Sequence, residues 1–182
     1  MGLTFPNYLG QAAGLDKNGF FPGMSSSLGF GHIEVGTVTP KGQPGNPRPR
    51  MFRYPKLNAL VNRMGFNNAG SQALAEQISK VYPKGERFSP LGINIGKSKD
   101  TPLDQALVDY LAAFSDVAPQ ADYIAINISS PNTPDLRDLH QEKHLKPLLA
   151  NIRSHNLEWA ANNDCRPIPC VLKISPDEDY KS

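Results

Sequence analysis

The sequence predicts an α/β fold wound as a parallel barrel, and three observations carry that prediction. Five short apolar segments rich in β-branched residues recur along the chain, each followed by Gly, Ser, Thr, Asn or Pro and then by a stretch of helical character. Each is nearly continuously apolar at its centre, as strands are when both faces of a parallel sheet are covered. Polar residues gather at the C-terminal ends of all five, where a barrel assembles its chemistry. A dinucleotide-binding sheet would instead place G-x-G-x-x-G directly after its first strand, but here that segment runs into Ala12-Ala13-Gly14-Leu15-Asp16-Lys17.

In chain order the expected strands are Tyr8–Ala13, His32–Val38, Leu91–Ile95, Tyr123–Ile128 and Pro169–Ile174. Between the second and third, Arg48–Asn68 holds two strand-like pieces, Arg50–Tyr54 and Ala59–Arg63, expected as an inserted antiparallel hairpin. Helices are expected over Gly70–Val81, Pro102–Ala118 and Lys143–Asn162. Thr101-Pro102 reads as an N-cap and N1 pair. Behind it Ala106, Leu107, Tyr110, Leu111 and Phe114 recur at helical spacing, so these side chains belong to the core.

The chain has 182 residues, 39% of them hydrophobic, enough for one ordinary domain. A net charge of +2 with scattered basic residues excludes an electrostatic stripe for nucleic acid. The basic run Arg48-Pro49-Arg50-Met51-Phe52-Arg53 reads as a solvated loop or hairpin. Two cysteines, Cys165 and Cys170, and no secretory signal point to a reducing compartment, with both thiols structural. No apolar run approaches the roughly 20 residues of a membrane-spanning helix.

The residues at the five strand ends are Lys17; Thr37 with Thr39; Asn94; Asn127 with Ser129, Ser130 and Asn132; and Lys173. They include no paired carboxylates, no His and no Cys. Amides, hydroxyls and two cations suit a planar, polar, anionic ligand rather than hydrolysis. Any one Thr or Asn taken alone is as readily a cap or turn residue. A lysine after an apolar strand ordinarily snorkels to water, but Lys173 interrupts Pro169-Cys170-Val171-Leu172 and precedes Ile174, so a central position there requires an anionic or carbonyl partner. The most distinctive segment is Asn127-Ile-Ser-Ser-Pro-Asn-Thr-Pro134, a rigid loop able to fix a hydroxyl that serves as nucleophile or base. No G-x-S-x-G elbow surrounds it. His140 and His144 stand i, i+4 but depart from H-E-x-x-H and read as a solvated helix face rather than a zinc pair.

Five motifs extend this reading. Gln11-Ala-Ala-Gly-Leu-Asp-Lys17, Glu34-Val-Gly-Thr-Val-Thr-Pro40, Asn62-Arg-Met-Gly-Phe-Asn67, Gly92-Ile-Asn-Ile-Gly-Lys97 and Tyr123-Ile-Ala-Ile-Asn-Ile-Ser-Ser-Pro-Asn-Thr-Pro134 stand in the order and spacing of class 2, quinone-linked dihydroorotate dehydrogenases, which the chain resembles from Met1 to about Asp177. The resemblance implies an FMN-binding (β/α)8 TIM barrel that oxidises dihydroorotate to orotate in pyrimidine synthesis and passes electrons to quinone. By the same resemblance Ala13, Gly14, Leu15, Asp16, Lys17, Thr37, Asn94, Asn127 and Lys173 bind the cofactor. Lys17, Asn62, Arg63, Met64, Gly65, Phe66, Asn127 and Asn132 bind substrate. Ser130 matches the base that removes the C5 proton while hydride passes from C6 to N5 of FMN, and Thr133 and Phe66 match residues lining the proton exit. No metal is implied.

Residues 1–182 are then expected to be a partial catalytic domain, about the first five βα units, without the family's N-terminal membrane-docking helices or the last three units. The expected location is peripheral, on the cytoplasmic face of the bacterial inner membrane, or on the mitochondrial inner membrane in a eukaryote. The alternative enzymes are other FMN barrels, class 1 relatives or dihydrouridine synthases; both would call for a cysteine where Ser130 stands, which disfavours them. An inactive half-barrel is the alternative of another class.

Overall fold

The computed structural model describes residues 2–133 and 136–175; Pro134 of the 127–134 loop and Asp177 lie outside the described residues. One sheet is formed by β1 (Gly10–Gln11), β2 (His32–Val38), β5 (Leu91–Ile95), β6 (Tyr123–Asn127) and β7 (Cys170–Lys173). Its spatial order is β1-β2-β5-β6-β7 and every pairing is parallel. A doubly wound sheet reverses its strand order at a switch point, whereas here the strands follow one another in chain order, as consecutive staves of a barrel wall do. The barrel reading therefore holds over these five strands. Between β2 and β5, β3 (Met51–Tyr54) and β4 (Ala59–Asn62) pair antiparallel as the separate hairpin the sequence predicts.

Alternation along the strands divides the sheet into two faces. Ile33 and Val35, Leu91, Ile93 and Ile95, and Ile124, Ile126 and Ile128 are essentially inaccessible and join the hydrophobic core. Opposite them, the intervening positions carry His32 and Glu34, Gly92 and Asn94, and Tyr123, Ala125 and Asn127. The core is completed by α2 (Ser71–Val81), α3 (Ala106–Val117) and α4 (Glu142–Asn162), through Leu74 and Ile78, Tyr110 and Phe114, and Leu148 and Ile152. Of the helical positions expected in the core, Ala106, Tyr110 and Phe114 are buried and Leu107 and Leu111 pack against its margin. On the inward face, glycines leave room for rings on the next strand. A Cβ at Gly92 would lie 2.1 Å from Tyr123 Cζ, and one at Gly10 would lie 1.9 Å from His32 Nε2.

Several boundaries differ from expectation. The first strand shrinks from Tyr8–Ala13 to Gly10–Gln11, because the Asn7 side chain accepts the Leu9 N–H and donates to Gly29 O, a local turn that leaves Tyr8 and Leu9 exposed. Thr101-Pro102 is not the start of the α-helix. Pro102 (ψ 157°) precedes a 3-10 turn over Leu103–Gln105, and α3 begins only at Ala106. The buried Lys97 ammonium holds the carbonyls of Ser98 and Thr101, and Asp109 accepts the Ser98 N–H, fixing the chain ahead of the helix.

The helix α1 (Pro22–Ser27) has no counterpart in the sequence reading, since Gly23 and three serines disguise it. Its signals are Pro22 in the first turn and the buried Asp16 carboxylate, which accepts the N–H groups of Phe20 and Phe21. His140 closes a 3-10 turn over Leu136–His140 while His144 lies in α4, so the two do not share one helix face, and a His140 ring nitrogen meets Ile128 O instead. Among the described residues no group of three His, Cys, Asp or Glu could hold a metal. Both cysteines are free thiols on exposed residues, and Cys170 Sγ meets Ile168 O and Asn156 Nδ2.

Gly36 lies on β2 close against the β5 backbone. Its φ is +99°, and an added Cβ would stand 2.5 Å from the Asn94 carbonyl oxygen. Gly36→Ala is therefore expected to destabilise the protein by about 2 kcal/mol or more, read as a lower urea midpoint; an unchanged midpoint would contradict this packing.

Candidate active site

At the C-terminal end of the strands a cleft of about 720 Å³ opens between the sheet and the hairpin, within the size range of small-molecule sites. Its first wall is the loop after β1. Gly14 donates to Gly36 O and Gly36 donates to Asp16 O, which ties the loop to β2 and leaves Lys17 half-buried at the cleft. Burial holds the Lys17 ammonium below its ordinary pKa, and the positive charges of Arg50 and then Lys173 lower it further. Lys173, opposite Asn127 in the β6–β7 register, lines the same cleft. Two cations facing one cavity destabilise each other until an anion arrives.

The floor is a polar cluster on the strand ends. The Thr37 hydroxyl donates to Asn94 Oδ1 at 2.5 Å, and Asn127 Nδ2 donates to Thr37 Oγ1 at 3.0 Å and to Asn94 Oδ1 at 3.1 Å. All three side chains are buried, so each hydrogen bond stands in for water that the folded chain has expelled. The Asn127 carbonyl accepts the Tyr110 hydroxyl at 2.8 Å, which anchors the end of β6 to α3. That phenol sits in the core, and desolvation pushes its pKa well above the ordinary value.

Beyond Asn127 the chain turns sharply. Asn127 Oδ1 accepts both the N–H and the hydroxyl of Ser129 at 3.0 Å, and Ser130 Oγ accepts the Asn132 N–H at 3.2 Å. These local turns fix Ser130 at the cleft wall beside Pro131 and Asn132. Thr133, farther along the same loop, is buried, and its hydroxyl has no hydrogen-bond partner among the described residues. A buried hydroxyl left open in this way is suited to a proton in transit.

The remaining wall comes from the hairpin. Asn68 clamps its base: Oδ1 accepts the N–H groups of Thr39 and Gly70, and Nδ2 donates to Thr39 Oγ1 and Phe66 O. Held there, Phe66 is buried with φ +51°, an unfavourable backbone state for a bulky residue that persists only where its surroundings impose it.

Of the residues expected from sequence, Ala13, Gly14, Leu15, Lys17, Thr37, Asn62, Met64, Gly65, Phe66, Asn127, Ser130, Asn132 and Lys173 line this one cleft. Four do not line it. Asp16 supports α1, Asn94 is the wholly inaccessible member of the floor cluster, and Thr133 is buried. Arg63 donates to Pro49 O and sits over the Phe52 ring, stapling the hairpin. The sequence reading missed Gln11, Met51 and Leu60 on the cleft wall and Glu34 below its floor. Alternation along β2 was the available signal for Glu34, because it sits two residues from His32 on the inward face.

The geometry can be set beside known proteins. A family model described as dihydroorotate dehydrogenase matches residues 1–181. The chain belongs to the dihydroorotate dehydrogenase family. It is 51% identical to a Stenotrophomonas maltophilia (strain K279a) protein named dihydroorotate dehydrogenase (quinone), over 97% of this chain and 49% of that one. With a Legionella pneumophila (strain Lens) protein of the same name it shares 52% identity over 98% of this chain and 52% of that one. A solved structure of DHODH from Eimeria tenella, in complex with ferulenol, superposes with a TM-score of 0.88 at 39% identity, covering 99% of this chain and 52% of that one. The chain thus spans about half the length of the dihydroorotate dehydrogenases it matches.

Proposed function

We propose that the protein carrying this chain oxidises dihydroorotate to orotate, with FMN as its cofactor and quinone as the final electron acceptor, in pyrimidine synthesis. The observation that carries the proposal is the convergence of Ser130, Lys17, Lys173, Asn62 and Asn132 on one cleft. Two ammonium groups among amides and hydroxyls form a donor set that fits both a flavin ring, electron-rich once reduced, and a carboxylated pyrimidine. Thr37, Asn127 and Lys173 would hold the flavin; Lys17, Asn62 and Asn132 would hold the substrate. FMN, when bound, supplies the hydride acceptor for C6 of dihydroorotate.

The remaining chemistry belongs to the chain. Lys17 binds the substrate carboxylate, the asparagines orient the pyrimidine, and Ser130 takes the C5 proton. A serine hydroxyl is a weak base unless its own proton has somewhere to go, and Thr133 and Phe66 provide the exit behind it. The Asn62 to Phe66 stretch covers the substrate and excludes water. No helix among the described residues is long and apolar enough to cross a membrane, and quinone is reached by contact at the membrane surface.

The full-length protein tests the proposal directly. Dihydroorotate should bleach its flavin absorbance, quinone should restore it, and NAD and fumarate should not. Efficient turnover with fumarate would place the protein among the class 1 enzymes and overturn the role of Ser130.

A further inference from the structure

We propose that Glu34 is a positioning residue that helps set the direction of the side-chain hydrogen bonds among Asn94, Thr37 and Asn127, and through them the placement of the loop bearing Ser130; its catalytic meaning rests on the function proposed above. A side-chain amide fits its cavity in two orientations that exchange oxygen for nitrogen, and only its partners decide between them. Asn94 is wholly inaccessible, so both ends of its amide must be matched by the protein.

Glu34 decides it at one end of the cluster, and the Ser129 N–H, which can only donate to Asn127 Oδ1, decides it at the other. An ionised carboxylate only accepts, and Glu34 Oε1 receives Asn94 Nδ2 at 2.8 Å while the Tyr123 hydroxyl donates to Oε2 at 3.3 Å. Asn94 Oδ1 is thereby turned toward Thr37 Oγ1 at 2.5 Å and Asn127 Nδ2 at 3.1 Å. Thr37, its single proton given to Asn94, is left to accept Asn127 Nδ2 at 3.0 Å. Asn127, with its nitrogen committed, presents Oδ1 to the N–H and hydroxyl of Ser129, the neighbour of Ser130. The donors run one way, from loop to carboxylate. Reversing Asn94 would set its nitrogen against the Asn127 nitrogen, donor against donor, in a buried cluster where a lost partner is costly.

Glu34→Gln keeps the shape and removes the acceptor-only property. Asn94→Asp keeps the shape and sets a second carboxylate against the first. The double variant Glu34→Gln/Asn94→Asp restores one-way polarity, because the new amide donates to the new carboxylate, whose other oxygen accepts from Thr37 and Asn127. In the full-length protein, FMN affinity is measured by fluorescence titration of the flavin-free form, alongside that form's thermal midpoint. Asn94→Asp should weaken FMN binding at least about tenfold and lower the midpoint; Glu34→Gln, whose amide oxygen can still accept from Asn94 Nδ2, should do so less, and the double variant should recover most of the Asn94→Asp loss.

A residue that merely fills space would give no such rescue. A double variant no better than Asn94→Asp alone would overturn the proposal. The midpoint needs neither dihydroorotate nor quinone. Recovery of the midpoint in a protein that fails to oxidise dihydroorotate would uphold the directional role of Glu34 while refuting the proposed function.

Discussion

Ser130→Ala in the full-length protein is expected to lower dihydroorotate turnover by about 10² to 10⁴-fold, the range that general-base catalysis supplies, while FMN remains bound. The side chain lost is small, and its contact in the structure is with the Asn132 N–H of its own loop. The floor residues Thr37, Asn94 and Asn127 hydrogen-bond one another without it, so the cofactor site should survive. Rapid-mixing measurement of flavin bleaching isolates the step, and near-normal bleaching in the variant would remove Ser130 from the chemistry. Ser130→Cys should keep part of the activity and shift its pH optimum downward, since a thiol ionises near pH ~8.5.

Lys17→Met should raise KM for dihydroorotate and lower kcat/KM by about 30-fold or more. Truncating one partner of a buried charge pair costs about 2 to 5 kcal/mol, and each ~1.4 kcal/mol is a factor of ten. The same substitution should raise the thermal midpoint of the substrate-free protein, because burial and the charges of Arg50 and Lys173 oppose the ammonium. The folded chain binds that proton less tightly than the unfolded chain does, so below the depressed pKa the charge destabilises the fold. The cost fades as pH rises from that pKa toward the ordinary 10.5. Substrate affinity should follow the opposite course, being greatest while Lys17 is protonated and falling as pH rises through its depressed value. A variant with unchanged KM would disprove the carboxylate contact.

What the sequence made legible was what periodicity and motif control. Runs such as Leu91–Ile95 announce buried parallel strands, and the Asn127–Thr133 loop announces itself by density of hydroxyls, amides and proline. What stayed hidden depends on partners distant in the chain. The serines of α1 conceal a helix supported by Asp16, and the brevity of β1 follows from Asn7 reaching Gly29. Arg63 and Asp16 stand inside matched motifs yet spend their side chains on the hairpin and on α1. Glu34 escaped notice because a motif shows which residues recur and not which way a hydrogen bond points.

The glycines that make room for rings on the inward face also govern how this chain can change over generations. Gly92 can acquire a side chain only once the Tyr123 ring has gone, since an added Cβ would lie 2.1 Å from Cζ. Removing that ring deletes the hydroxyl that holds Glu34, and keeping the ring forbids any enlargement at 92. The pair therefore evolves as a block, accessible in one order of substitution or by simultaneous exchange. A library varying one position at a time would score Gly92 as immutable, whereas a combinatorial library over 92, 123 and 34 together should recover functional triplets that single-position scanning misses.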